Sequence, residues 1–129
     1  MKRLTRQWAA KAEADFHSAQ RELRARKQPN LDGACFHAQQ CAEKYLKARL
    51  HEAGIAFPKT HDLTRLLDLI IPAEPLWGSL RPSLNRLTVF SVQFRYPGSD
   101  ATRKTALEAL RLCRQIRSVI RKSLGLYQK

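Results

Sequence analysis

The sequence is short of acidic residues, of cysteine and of long apolar runs, and each shortage narrows what the chain can be. Eleven Asp and Glu stand against 24 Lys and Arg, a formal net charge of +13. A surplus of this size concentrates anionic partners near the surface, whether nucleic acid, a nucleotide or an acidic protein face. The three cysteines (Cys35, Cys41 and Cys113) are odd in number and contain no C-x-x-C pair. They fit reduced, buried thiols in the cytosol better than a disulfide framework. The first residues, MKRLTRQWAAKAEADF, are basic but lack the apolar core of a signal peptide. No stretch approaches the roughly 18 consecutive apolar residues of a membrane span. The expectation is a cytoplasmic protein without a membrane segment.

What is present is helical periodicity. A length of 129 residues suits one domain, residues 1–129, with enough apolar content (43%) to build a core unaided. Breaks fall at Pro29-Asn30, Gly54 to Pro58, Pro72 to Pro75 and Pro97-Gly98-Ser99, and between them apolar residues recur at three- and four-residue steps. This spacing predicts helices over about 5–27, 31–53, 60–71, 79–94 and 100–124. Thr60 and Ser99 stand where the third and last would be capped. Pro82 is tolerated if it lies in a first turn. Ala34, Ala38, Cys41, Tyr45 and Ala48 share one face of the second helix, and Gln40, Glu43 and Lys47 share the opposite, solvated one. The fold class is all-α, an antiparallel up-and-down bundle of four to five helices.

Three segments in order carry a resemblance. They are Cys35-Phe36-His37-Ala38-Gln39-Gln40-Cys41-Ala42-Glu43-Lys44-Tyr45-Leu46-Lys47-Ala48, then Phe57-Pro58-Lys59-Thr60-His61-Asp62-Leu63, then Phe94-Arg95-Tyr96-Pro97-Gly98, with Trp8, Ala12 and Asp15 adding support. Together they resemble the HEPN (higher eukaryotes and prokaryotes nucleotide-binding) family. The resemblance implies a helical bundle that commonly forms a homodimer, works near nucleotides or RNA, and is often partnered with a minimal nucleotidyltransferase, many such pairs being toxin–antitoxin systems. Family members with ribonuclease activity carry an Arg and, within the next few residues, a His at the break between the last two long helices. Here Arg95 stands at that break, but Asp100, Ala101 and Thr102 fill the positions where the His would fall.

The candidate site follows. Arg95-Tyr96 precedes a proline and is pushed out of helical geometry, offering a forked phosphate donor and a stacking face. Metal-independent RNA cleavage needs a group that titrates near neutrality, and His61 is the nearest substitute if the helix ends converge, with Asp100 a weaker one. Lys44 on the second helix and Arg114, Arg117 and Arg121 on the last are further candidate phosphate contacts. Leu107, Leu110 and Val119 lie among the arginines of the last helix, so that a partner or second subunit could cover that face. His37 and Cys41, four residues apart, have no second ligand pair, and neither a metal nor a cofactor is expected. The leading expectation is a non-catalytic or weakly catalytic HEPN protein that binds nucleotide or RNA as a dimeric nucleotidyltransferase partner, in some such cases as one half of a toxin–antitoxin pair. The alternatives are a metal-independent endoribonuclease toxin using Arg95 with an unusual acid/base partner, and a purely structural protein-interaction bundle.

Overall fold

A computed structural model describes residues 1–126 of the chain. Among these residues five α-helices form and no strand: α1 (Arg3–Arg24), α2 (Leu31–Glu52), α3 (Leu63–Ile70), α4 (Arg81–Gln93) and α5 (Arg103–Ser123), with a 3-10 helix at Pro75–Leu80 leading into α4. Cross-helix bonds fix the directions. Lys2 at the start of α1 donates to Glu52 at the end of α2, so these two are antiparallel. Arg86 pairs with Glu108 and Ser83 reaches Gln115, so α4 and α5 are also antiparallel. Asp32 accepts from the Ala101 N–H and Arg49 donates to Ser123, so α2 and α5 run the same way. The long helices therefore go up, down, up, down, with short α3 inserted, as the periodicity predicts.

The core lies where the predicted stripes meet. Ala12, Phe16 and Ala19 of α1 face Ala34, Ala38, Cys41 and Tyr45 of α2, and all are buried. The small residues let α1 and α2 approach closely. Leu63, Leu66, Leu67 and Ile70 of α3 and Ala109, Cys113, Ile116 and Ile120 of α5 are fully buried as well. All three thiols are buried and unpaired, and burial, with the nearby charge of Asp32, pushes the Cys35 thiol up to about 11.

Helix ends differ from expectation in ways that local chemistry explains. α1 stops at Arg24 rather than Lys27, because beyond Leu23 the run Arg24 to Gln28 has nothing but Ala25 to pack. Gly54, in the left-handed region at φ 71°, closes α2 as expected. Pro82 occupies the first turn of α4. The last helix is capped by Thr102, not Ser99, since Ala101 is buried and its N–H is held by Asp32.

At α3 the cap is Asp62, not Thr60. The Asp62 carboxylate accepts from the backbone N–H groups of Thr64 and Arg65, while the Thr60 hydroxyl only accepts from the Asp62 N–H. The Thr64 hydroxyl bond and the backbone donors hold the Asp62 carboxyl below its usual range. Asp62→Ala should cost about 1 kcal/mol in chemical denaturation and Thr60→Ala only a few tenths. Equal losses would return the capping role to Thr60.

One expectation is overturned outright. Glu43 and Lys47 do not face solvent: they are 2% and 7% exposed, because α2 is covered on that side by Trp8 of α1 and by the loop carrying Phe57.

Candidate functional site

The chain break after α4 places Arg95 at a helix end. Its N–H donates to the Val92 carbonyl in a closing turn, and Pro97 and Gly98 (φ 95°) turn the chain away. Both Arg95 and Tyr96 are exposed, Tyr96 at 66%. Arg95 lines a cleft of about 350 Å³ between α2 and α4, together with Phe36, Gln39, Gln40, His61, Thr88, Ser91 and Val92. Arg95 and His61, 34 positions apart in sequence, thus share one cavity.

His61 is held from beneath. Its Nδ1 lies 3.0 Å from Oε1 of Glu43. A carboxylate only accepts, so Nδ1 carries a hydrogen and donates it to Glu43. The His61 side chain is 83% exposed while the Glu43 side chain is 3% exposed, so a buried anion aims a solvent-facing imidazole. Glu43 is itself anchored by Lys47, whose ammonium lies 3.0 Å from Oε2 and packs over the rings of Trp8 and Phe57. Gln39 completes the support by donating to the His61 carbonyl at 3.2 Å, and Gln40 donates to the Gln39 side chain at 2.9 Å.

A second cleft of about 290 Å³ adjoins the first, lined by Asn30, Asp32, Gly33, Phe36, His37, Ser91, Phe94 and Arg95. Arg95, Phe36 and Ser91 border both. Here His37 Nδ1 donates to Asp15 at 2.8 Å, repeating the histidine–carboxylate arrangement on the other flank of Arg95. Lys44 is tied to the second oxygen of Asp15 at 2.5 Å.

The remaining candidates lie elsewhere. Asp100 is exposed and lines neither cleft. Arg117 is buried and grips Glu13 of α1 through Nε at 2.9 and 3.1 Å. Arg121 donates to the Tyr45 hydroxyl at 3.1 Å, and that hydroxyl donates to Glu13. These two arginines are engaged in holding α1 to α5. Arg114 stays exposed, with its guanidinium 5.8 Å from the Phe16 ring.

Of the residues expected from sequence, the structure brings Arg95 and His61 into one cavity, while Tyr96 lines neither cleft; Phe36, Gln39, Thr88 and Ser91 join them there, and Glu43 lies behind His61. The i,i+4 spacing of Glu43 and Lys47 was visible; that their pairing also holds a histidine from another element was not. Among the described residues no group of His, Cys, Asp and Glu is placed to hold a metal ion, and no helix is long and apolar enough to cross a membrane.

No curated protein and no solved structure matched the chain. The family model described as HEPN domain matches residues 5–123. That span takes in the quoted motifs, all five helices but for the first residues of α1, and the Arg95 cleft, and with it comes a role connected with nucleotides or RNA. The chain belongs to the HEPN domain family.

Proposed function

We propose that this protein binds RNA or a nucleotide in the cleft between α2 and α4, and that it does so as the homodimeric partner of a minimal nucleotidyltransferase in a toxin–antitoxin pair. The observation that carries the reading is the shared cavity of Arg95 and His61. Arg95 supplies a planar fork for a phosphate, and Gln39, Gln40, Thr88 and Ser91 supply neutral donors and acceptors around it. Tyr96 and Phe36, at 66% and 42% exposure, offer ring faces to a base. The dimer is supported by Val89 and Val92 of α4, which stand exposed, Val92 in the same cleft as Phe36. A second copy would cover them.

The test is a titration of a fluorescent single-stranded RNA oligonucleotide, and separately of a labelled adenine nucleotide, into the wild type and Arg95→Ala. Arg95 is exposed and outside the core, so the variant should melt like the wild type. Affinity should fall by about tenfold or more, and binding to the oligonucleotide should weaken steeply with salt. Unchanged affinity in Arg95→Ala would remove the cleft from the reading.

A second reading, metal-independent RNA cleavage, is favoured by one observation: His61, held at Nδ1 by Glu43, lines the same cleft as Arg95 and brings a group able to exchange protons. Arg95 would then steady charge on the scissile phosphate. RNA cleavage in the presence of a chelator, lost in both His61→Ala and Arg95→Ala, supports it. Cleavage that survives in His61→Ala excludes it.

A further inference from the structure

The arginine row on α5 meets α1 in two unlike halves. Arg103, Leu107, Leu110, Arg114, Arg117 and Arg121 recur at three- and four-residue steps and form one stripe. Over the half nearer the C-terminus, Glu13 of α1 answers this stripe and takes up Arg117, with Arg121 alongside at 3.8 Å. Over the other half no acid answers. There α1 presents Gln20, Leu23 and Arg24, and with Arg26 these residues and the α5 stripe enclose a groove of about 450 Å³. None of the residues lining it is acidic, among the described residues.

Four arginines border the groove: Arg24, Arg26, Arg103 and Arg114, all exposed. Among the described residues, Arg103 donates to the Leu23 carbonyl at 2.8 Å and Arg114 lies 5.8 Å from the Phe16 ring. Between the arginines lies aliphatic surface, with Leu107 53% exposed above buried Leu23 and Leu110. Leu107 thus offers a partner an apolar contact on a surface otherwise bordered by cations.

We infer that this groove docks an acidic, leucine-bearing helical segment of a partner protein. The charge pattern selects the occupant. A symmetric contact of this groove with its own copy would set its four arginines against four more. RNA would satisfy the arginines but leave Leu107 without a partner, and among the described residues no aromatic ring lines the groove for a base to stack on. A segment with carboxylates flanking a leucine pair supplies both missing parts, repeating from outside what Glu13 and Phe16 of α1 supply over the other half of the stripe. The groove shares no residue with the Arg95 cleft, and the inference does not rest on the reading of that cleft.

The experiment uses two labelled helical peptides of about 18 residues, alike in their glutamates, one with leucines on the opposite face and one with serines there. At physiological salt the leucine peptide should bind the wild-type protein at least about tenfold more tightly than the serine peptide. Leu107→Asp and the double variant Arg24→Glu/Arg26→Glu should each weaken the leucine peptide by about tenfold or more, with unchanged melting curves. A single-stranded RNA oligonucleotide of equal charge should fail to displace it. Equal binding of the two peptides, displacement by the RNA, or full affinity in both variants would each overturn the proposal. Should a variant fail to fold, the comparison of the two peptides on the wild-type chain still decides.

Discussion

Glu43→Ala is expected to lower stability by about 3–5 kcal/mol, the loss that follows when one member of a buried ion pair is removed. Glu43 is 2% exposed and Lys47 7%, with 3.0 Å between their charged atoms. Without the carboxylate, the Lys47 ammonium keeps only the faces of Trp8 and Phe57, 5.5 and 5.9 Å away. Two such contacts are worth about 1–2 kcal/mol each and do not offset the desolvation of a full charge. For a chain of this length the midpoint of thermal unfolding should fall by on the order of 10–15 °C. The double variant Glu43→Leu/Lys47→Met removes both charges and should recover most of that loss, because the pair itself contributes little net stability. It does not restore the His61 anchor. The double variant therefore separates two roles of one residue: stability should return while binding at the Arg95 cleft stays weakened. A loss below about 1 kcal/mol in Glu43→Ala would mean that the pair behaves as a solvated one.

The same residue marks where the sequence stops being legible. The apolar stripes of α1 and α3 could be read from spacing because each of these helices has a single buried face; on α5 Ala109, Cys113, Ile116 and Ile120 were legible, but Leu110, expected among the open arginines, is buried with them. α2 has no single buried face: it is covered by α1, α3, α4 and α5, and twelve of its residues are buried. Trp8 and Phe57, which cover its Glu43 side, lie 35 positions before and 14 after Glu43, so no local period announces them. Arg95 was legible for the opposite reason. Pro97 and Gly98 mark a helix end by their own backbone chemistry, whatever lies nearby. That His61 joins it depends on α3 starting beside α2, which is a tertiary fact carried by the Gln39 bond to the His61 carbonyl. The caps fail for a subtler reason. Thr60 and Asp62, or Ser99 and Thr102, are chemically equivalent choices within one turn. Packing picks the one that leaves Leu63 or Ala101 buried.

The arginine row shows the same limit and leads to the second large effect, at Glu13. Six positions of α5 make a stripe, but only the fold reveals that Glu13 turns Arg117 inward and leaves Arg114 outside. Glu13→Ala should cost about 2–4 kcal/mol, somewhat less than for Glu43 because its side chain keeps 24% exposure. Acid should reproduce the loss. Burial pushes the Glu13 carboxyl upward, but the bonds from Arg117 and Tyr45 and the charges of Arg117 and Arg121 outweigh it, and the group ends below its ordinary 4.5. The folded state thus binds this proton less readily than the unfolded chain. Its contribution is fully present above about pH 4.5 and is lost as pH falls through the folded value. Tyr45 moves the other way: burial, then the bond to Glu13, raises the phenol, which stays protonated and able to donate. Glu13→Gln keeps the size of the side chain and removes its charge. Denaturation curves for the wild type and Glu13→Gln, taken in steps from neutral pH downward, should differ most above about pH 4.5 and converge below it. Asp62 and Glu52 are also held low and will destabilise both proteins in acid, but they cancel in the difference. A gap between the two curves that is independent of pH would place the effect in packing and not in the Glu13 charge. Convergence would show that one carboxylate on α1 is what keeps this half of the arginine row closed, and so why the half without one stands open.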